Sequence, residues 1–186
     1  TGIPLALDDV DLIVSSTHKW ILASHGGGLV GVPNEKAEQW TVPAGGWFNL
    51  QNAFEADRFE HTVTKPGAAS FSVGMPNYPA VYAIDAGLQY IQQVGIQNID
   101  EYCRPLMQHL VEELRQLPID LLTPTDPEHL AGIVAWQHPQ AEQIYQTLHD
   151  QNIHVMSHAG RLRVAVHGYN IQQDIEKLIQ ALHQAL

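Results

Sequence analysis

The sequence has one cysteine, few basic residues and no long apolar run. One cysteine in 186 residues excludes an internal disulfide framework and a cysteine-based zinc site, and it fits a reducing, cytoplasmic compartment. Nine Lys and Arg against twenty Asp and Glu give a net charge of −11, which argues against a nucleic-acid partner and against an anionic membrane surface. No run of about 18 apolar residues predicts a membrane span. The remaining composition, 45% apolar and 16% charged, is typical of a folded globular protein.

The apolar pattern changes along the chain. Two short apolar runs, 12–14 and 29–32, predict strands that are joined by a polar, glycine-rich connection. Residues 34–72 are predicted to be irregular apart from a short helix near 49–59. The later pattern predicts helices at 79–94, 99–117, 141–151 and 171–186, and strands at 121–122, 133–136, 153–156 and 162–166. The first 75 residues hold too little helix to cover their strands, so they do not read as a complete domain.

Lys19 follows the first predicted strand and a run of hydroxyl side chains, with His18 beside it. A lysine held in an apolar wall loses its proton more readily and can attack a carbonyl carbon. Serine, threonine and histidine side chains just before it can donate hydrogen bonds to a phosphate. These residues alone favour a simpler alternative, which is a lysine at a strand end that reaches into solvent.

Residues 15–20 (SSTHKW), followed by residues 26–30 (GGGLV), resemble the active-site segment of class V aminotransferase-fold enzymes. These pyridoxal phosphate (PLP) enzymes of fold type I include cysteine desulfurases, selenocysteine lyases, kynureninases and isopenicillin N epimerase-like proteins. The resemblance implies that Lys19 forms the Schiff base with PLP. It also implies that Ser16 and His18 bind the phosphate of the cofactor.

Two further segments resemble the same family in collinear order. Residues 71–77 (FSVGMPN) look like its Gly-Thr-Pro-Asn segment, and residues 160–170 (GRLRVAVHGYN) look like its Arg-x-Ser-x-x-x-Tyr-Asn segment. The second match implies that Arg163 grips the substrate carboxylate. A planar guanidinium fork suits that role because it binds a carboxylate through two parallel hydrogen bonds. The alternative for Arg163 is a surface ion pair on a strand.

The resemblance implies an α/β fold that is the C-terminal part of a fold type I PLP-dependent transferase. The expected parts are a remnant of the large PLP-binding domain at 1–78, a connecting helix at 79–95 and a small α+β domain at 96–186. The expected activity is that of a PLP-dependent transferase or lyase, in a homodimer, acting on an amino-acid substrate by Schiff-base chemistry of the lyase, transaminase or epimerase type. We expect the residues that contact the pyridine ring to lie upstream of this chain. A non-catalytic fragment that folds or dimerises without binding PLP is the alternative.

Several residues depart from the family pattern. Met75 stands where the family usually has a threonine that contacts the phosphate of the neighbouring subunit, so that contact is expected to be weakened. Desulfurases carry their reactive cysteine on a loop not far before the arginine that Arg163 matches, and residues 149–158 contain none. Cys103 lies on the apolar face of a predicted helix, which disfavours persulfide-forming desulfuration. The eleven histidines contain no His-Glu-x-x-His motif, so no metal site is predicted. A small metal-dependent hydrolase that uses these histidines is a third, weaker hypothesis.

Overall fold

The computed structural model describes residues 10–43 and 45–186. They form two compact units, with the boundary between Val94 and Gly95. Residues 1–9, at the start of the predicted large-domain remnant, lie outside the described residues, and the predicted domain limits stay predictions. In the part of the chain that the structure describes, no helix is long and apolar enough to cross a bilayer.

The first unit begins with an antiparallel hairpin. Strands β1 (Ile13–Ser16) and β2 (Gly28–Gly31) pair so that Ser16 lies opposite Gly28, which confirms the two predicted strands. The loop between them holds Lys19. Short 3-10 turns follow at Asn34–Lys36 and Gly67–Phe71.

The helix predicted near 49–59 is wrong, because these residues form turns and one isolated bridge between Leu50 and Thr64. Asparagine side chains hold the backbone there. The amide of Asn52 donates to His61 O and its oxygen accepts from Val63 N at 3.0 Å. The oxygen of Asn49 accepts from Gly46 N at 2.9 Å. Such side-chain bonds to the backbone offer an alternative to helical pairing.

Helix α1 (Tyr78–Val94) closes the first unit. Its first turn is capped by Asn77, whose side-chain oxygen accepts from Ala80 N at 3.3 Å. It ends before Gly95, whose φ of 88° lies in the left-handed region that stops helices.

The buried face of α1 consists of Ala80, Ile84 and Gly87. The helical spacing of the apolar residues Val81, Ile84, Leu88 and Ile91 predicts that they share the inner face. Ile84 is buried, whereas Val81 and Leu88 are exposed. The two small residues of this face, Ala80 and Gly87, allow a close approach of the backbone behind the helix.

The second unit consists of four strands and three helices. In chain order these are α2 (Ile96–Leu114), β3 (Asp120–Leu121), β4 (Ile133–Gln137), α3 (Ala141–Asp150), β5 (Met156–His158), β6 (Arg161–Ala165) and α4 (Gln172–Ala185). The strands form one antiparallel sheet in the order β3-β4-β6-β5. This order of elements confirms the predicted pattern, although β5 begins at Met156 rather than at Ile153.

One face of this sheet packs against the helices and the other faces solvent. The fully buried side chains of the core come from α2, β4, α3, β6 and α4: Met107, Leu110, Leu114, Val134, Trp136, Ile144, Leu148, Leu162 and Leu182. Along β6, Leu162 and Val164 point into this core, while Arg161 and Arg163 are exposed on the opposite face. The strand alternation thus decides which β6 side chains a ligand can reach.

Candidate active site

The loop between β1 and β2 is held by Thr17, which is fully buried. Its hydroxyl donates to Gly27 O at 3.0 Å, and its carbonyl accepts from Ala23 N at 2.9 Å. A second turn forms where Leu22 N donates to Lys19 O at 3.0 Å. These bonds fix the backbone on both sides of Lys19 by local contacts alone.

Helix α1 supports this loop at three glycines. A Cβ atom added at Gly87 of α1 would lie 2.2 Å from Ile21 O, and one at Gly27 of the loop would lie 2.8 Å from Ile84 Cδ1. A Cβ at Gly26, where φ is 89°, would lie 2.8 Å from Asn77 Nδ2. Loop and helix are therefore in contact at distances that only glycine permits, and the helix sets the position of the loop.

Ser16, His18 and Lys19 lie together at the start of this loop. The side chains of Ser16 and Lys19 are exposed and that of His18 is half-buried. Lys19 therefore reaches solvent, as the simpler alternative from the residues alone predicts, and no apolar wall of described residues encloses it. Over residues 10–43 and 45–186, neither Ser16 Oγ nor Lys19 Nζ has a hydrogen-bond or ion-pair partner.

The ring of His18 stacks on the ring of His25, with centroids 4.0 Å apart and planes at 22°. Partial removal from water lowers the pKa of His18, and the nearby charges of His25 and Lys19 lower it further. Sequence reasoning missed His25. Its only signal was its place directly before the three glycines, at the far end of the loop that begins with His18.

Arg163 lies on β6 in the second unit, where it is exposed and opposite Ala135 of β4 and Met156 of β5. Its guanidinium forms no ion pair or hydrogen bond with any described residue, so the surface ion pair considered as an alternative is not formed there. An exposed, unpaired guanidinium is free to bind a carboxylate.

Cys103 is 3% exposed on the core side of α2, and burial raises the pKa of its thiol. A buried thiol with a raised pKa is a poor nucleophile. Met75, at the position where the family usually has threonine, is 75% exposed. Among the residues that the structure describes, no group of three or more His, Cys, Asp or Glu side chains could hold a metal ion.

Comparison with curated proteins finds relatives that are longer than this chain. A probable cysteine desulfurase from Pyrococcus abyssi is 24% identical over 189 residues, which cover 94% of this chain and 46% of that relative. A kynureninase from Deinococcus radiodurans is 31% identical over 111 residues, covering 58% of this chain and 27% of the relative. The chain thus spans less than half of the length of these relatives.

Solved structures show the same fold. A cysteine desulfurase from Thermococcus onnurineus NA1 matches 95% of this chain with 47% of its own, at a TM-score of 0.80 and 21% identity. The cystine C–S lyase C-DES, solved with its reaction product cysteine persulfide, matches 97% of this chain with 48% of its own, at a TM-score of 0.80 and 24% identity. Another C-DES structure carries glycine covalently linked to its PLP cofactor. The fold is therefore that of part of a fold type I PLP enzyme, as the sequence predicted.

The family model for class V aminotransferases matches residues 3–178. This match includes the lysine-bearing loop, α1 and the strand that carries Arg163. Its extent agrees with the fold comparison, which covers nearly the whole chain. The chain belongs to the aminotransferase class-V family.

Proposed function

We propose that this chain carries the lysine, the phosphate contacts and the substrate arginine of a PLP-dependent enzyme that acts on an amino acid. Lys19 would hold the cofactor, Ser16 and His18 would bind its phosphate, and Arg163 would bind the substrate carboxylate. The observation that carries the proposal is the Lys19 amine, which has no partner among the described residues and lies next to His18 and Ser16 on a loop that α1 holds in place.

The lysines of the first unit differ in what their amines contact. Lys36 Nζ forms an ion pair with Asp11 Oδ1 at 2.8 Å, and Lys65 Nζ donates to Phe48 O at 2.7 Å. Lys19 Nζ has no such partner in the described ranges. An amine that must react with an aldehyde cannot be held by a carboxylate, so Lys19 fits the cofactor better than its two neighbours do.

The remaining side chains of the loop fit a phosphate. Ser16 Oγ is an exposed hydroxyl that has no hydrogen-bond partner among residues 10–43 and 45–186, and the His18 ring can donate an N–H to a phosphate oxygen. Bound PLP supplies a conjugated ring that accepts electrons from the α-carbon of the substrate. Lys19 Nζ would take and return the α-proton. Arg163 would orient the substrate through its carboxylate.

The burial of Cys103 supports a reaction that needs no reactive thiol. Cys103 is enclosed in the core on α2 and its pKa is raised, so it cannot serve as a persulfide carrier. We therefore propose a lyase, transaminase or epimerase reaction in which no cysteine of the described chain takes part.

Titration of the purified chain with PLP tests this function. We expect a visible absorbance band that Lys19→Ala abolishes, and borohydride reduction should fix the cofactor on Lys19, as read by peptide mass spectrometry. Lys177→Ala, which removes another exposed lysine, is the matched control and should leave the band unchanged. Absence of a band at millimolar PLP would refute the proposal for this chain and favour a non-catalytic fragment.

We also propose that the enzyme acts as a homodimer, as the family resemblance implies. Aromatic side chains offer apolar surface for such a contact: Trp47, Phe54 and Phe59 are 60%, 85% and 85% exposed, and the Arg58 guanidinium lies 4.4 Å from the Phe59 ring centroid. Light scattering should give twice the chain mass, and Phe54→Ser should shift the protein towards monomer. A monomer at all concentrations would contradict the proposal.

The cytoplasmic location stays a prediction.

A further inference from the structure

We propose that Arg161 and Arg163 together form a two-point site for a dicarboxylic amino acid. Arg163 would bind the α-carboxylate and Arg161 would bind the carboxylate of the substrate side chain. This inference rests on the proposed function, because it assigns the substrate class of the arginine placed there. It names Arg161 as a specificity-determining residue, which the family resemblance did not indicate.

The two arginines share one face of one strand. They are two residues apart on β6, so their Cα atoms are about 6.6 Å apart at a rise of about 3.3 Å per residue. Leu162 between them is fully buried, which fixes both guanidinium groups on the solvent side of the sheet. In the order β3-β4-β6-β5, strand β6 lies inside the sheet, so strands flank the pair on both sides.

The neighbours of the pair across the sheet carry no negative charge. Gln137 and His158 lie opposite Arg161, and Ala135 and Met156 lie opposite Arg163. Gln137 and His158 are exposed on the same face and add hydrogen-bond donors beside Arg161. The nearest acidic position in this row is Asp120, one strand further away than Gln137.

Neither guanidinium has a partner within the described ranges, although the chain has 20 acidic and 9 basic residues. In residues 10–43 and 45–186 no ion pair or side-chain hydrogen bond involves Arg161 or Arg163. Arg104, by contrast, pairs with Asp100, and Arg58 lies over the Phe59 ring. Two adjacent like charges repel each other, and a ligand with two carboxylates would relieve that repulsion at both ends.

A ligand with a carboxylate at each end fits the two arginines better than a ligand with one anionic group does. Each planar guanidinium can bind one carboxylate by donating two parallel hydrogen bonds to it. Both arginines are exposed, so each arginine–carboxylate pair contributes only weakly to the binding free energy. We expect glutarate to bind about threefold to fivefold more tightly than butyrate, the effect of one additional exposed ion pair.

The test uses glutarate and butyrate as probes with the chain in the absence of PLP, at low ionic strength. Binding is measured from the arginine Nε–H signals in NMR titrations. Arg161→Gln should reduce glutarate binding to the level of butyrate and leave butyrate binding unchanged. Arg163→Gln should weaken both ligands, and Arg115→Gln, which changes an exposed arginine outside the sheet, should weaken neither.

Equal affinity for glutarate and butyrate, or unchanged glutarate binding by Arg161→Gln, would overturn the inference. Tighter binding of 4-sulfobutyrate than of glutarate would overturn the assignment to a carboxylate. Because the probes are measured without PLP, a chain that shows no PLP band but prefers glutarate would refute the proposed function while preserving the two-point site.

Discussion

Substitution of Gly87 by alanine tests whether α1 positions the lysine-bearing loop. The new Cβ would lie 2.2 Å from Ile21 O, so the contact must lengthen by about 1.1 Å to reach the roughly 3.3 Å at which carbon and carbonyl oxygen normally approach. Ile21 is two residues from Lys19. The displacement would therefore move the backbone of the loop, and with it the amine.

Two energies oppose each other in this variant. Alanine is more favourable than glycine within a helix by about 1 kcal/mol. Overpacking against a backbone carbonyl costs about 1–3 kcal/mol. We expect Gly87→Ala to lower the free energy of unfolding by up to about 2 kcal/mol, and to weaken the PLP absorbance band at subsaturating cofactor.

Urea unfolding followed by far-UV circular dichroism measures the first effect, and the PLP titration measures the second. Ala86→Gly, on the exposed side of the same helix, is the matched control. It should lose about 1 kcal/mol through helix propensity while leaving the PLP band unchanged. A Gly87→Ala variant that gains about 1 kcal/mol and binds PLP normally would refute the contact between α1 and the loop.

Two further predictions concern titratable groups. His25→Asn should raise the pKa of His18 towards its ordinary value by removing a nearby positive charge, as read from the imidazole signals in an NMR pH titration; an unchanged midpoint would contradict the stacked pair. Because its pKa is lowered, His18 takes up a proton less readily in the folded state than in the unfolded chain. The free energy of unfolding should therefore fall as the pH falls below 6.5, and this fall should be smaller in His25→Asn. Cys103 should resist a thiol reagent at pH 8 until urea unfolds the chain, because burial raises its pKa and blocks access; rapid labelling of the folded chain would show that it is accessible.

The alternation of apolar residues correctly predicted which side chains of β6 are buried. Leu162, Val164 and Val166 are buried as the period of two requires, and Arg163 is therefore outward. The pattern was informative because the sheet has one covered face and one open face, so each side chain has only two possible environments.

The same kind of reasoning was only partly right for α1. Of the large apolar residues at helical spacing, Ile84 is buried as predicted, yet Val81 and Leu88 are exposed and Gly87 is buried. Hydrophobic periodicity registers the size and polarity of side chains, whereas this helix is positioned by a close approach that requires small ones. A backbone contact of this kind depends on a loop more than sixty residues earlier in the chain, which a local window does not include.

The site itself was predictable only in part. The motif resemblance identified Ser16, His18 and Lys19 as a group because they are consecutive or nearly consecutive in the sequence. The stacking of His18 on His25 depends on how Thr17 and the glycines fold the loop back, and no residue pattern encodes that geometry directly. The turns at 49–59 were missed for a related reason, since they are held by asparagine bonds to distant backbone groups.

The hairpin of β5 and β6 turns at Ala159 and Gly160, with φ of 50° and 74°, and this constrains how the sequence can change in length. Insertion or deletion of one residue within β6 moves every following side chain of the strand to the opposite face of the sheet. Such a change before Arg163 would exchange the guanidinium with Leu162 or Val164, burying a charge and exposing an aliphatic side chain. Scanning insertions and deletions along the chain should therefore show that the core and the exposed face carrying Arg161 and Arg163 are lost together, and that length variation is tolerated in the connections outside this hairpin.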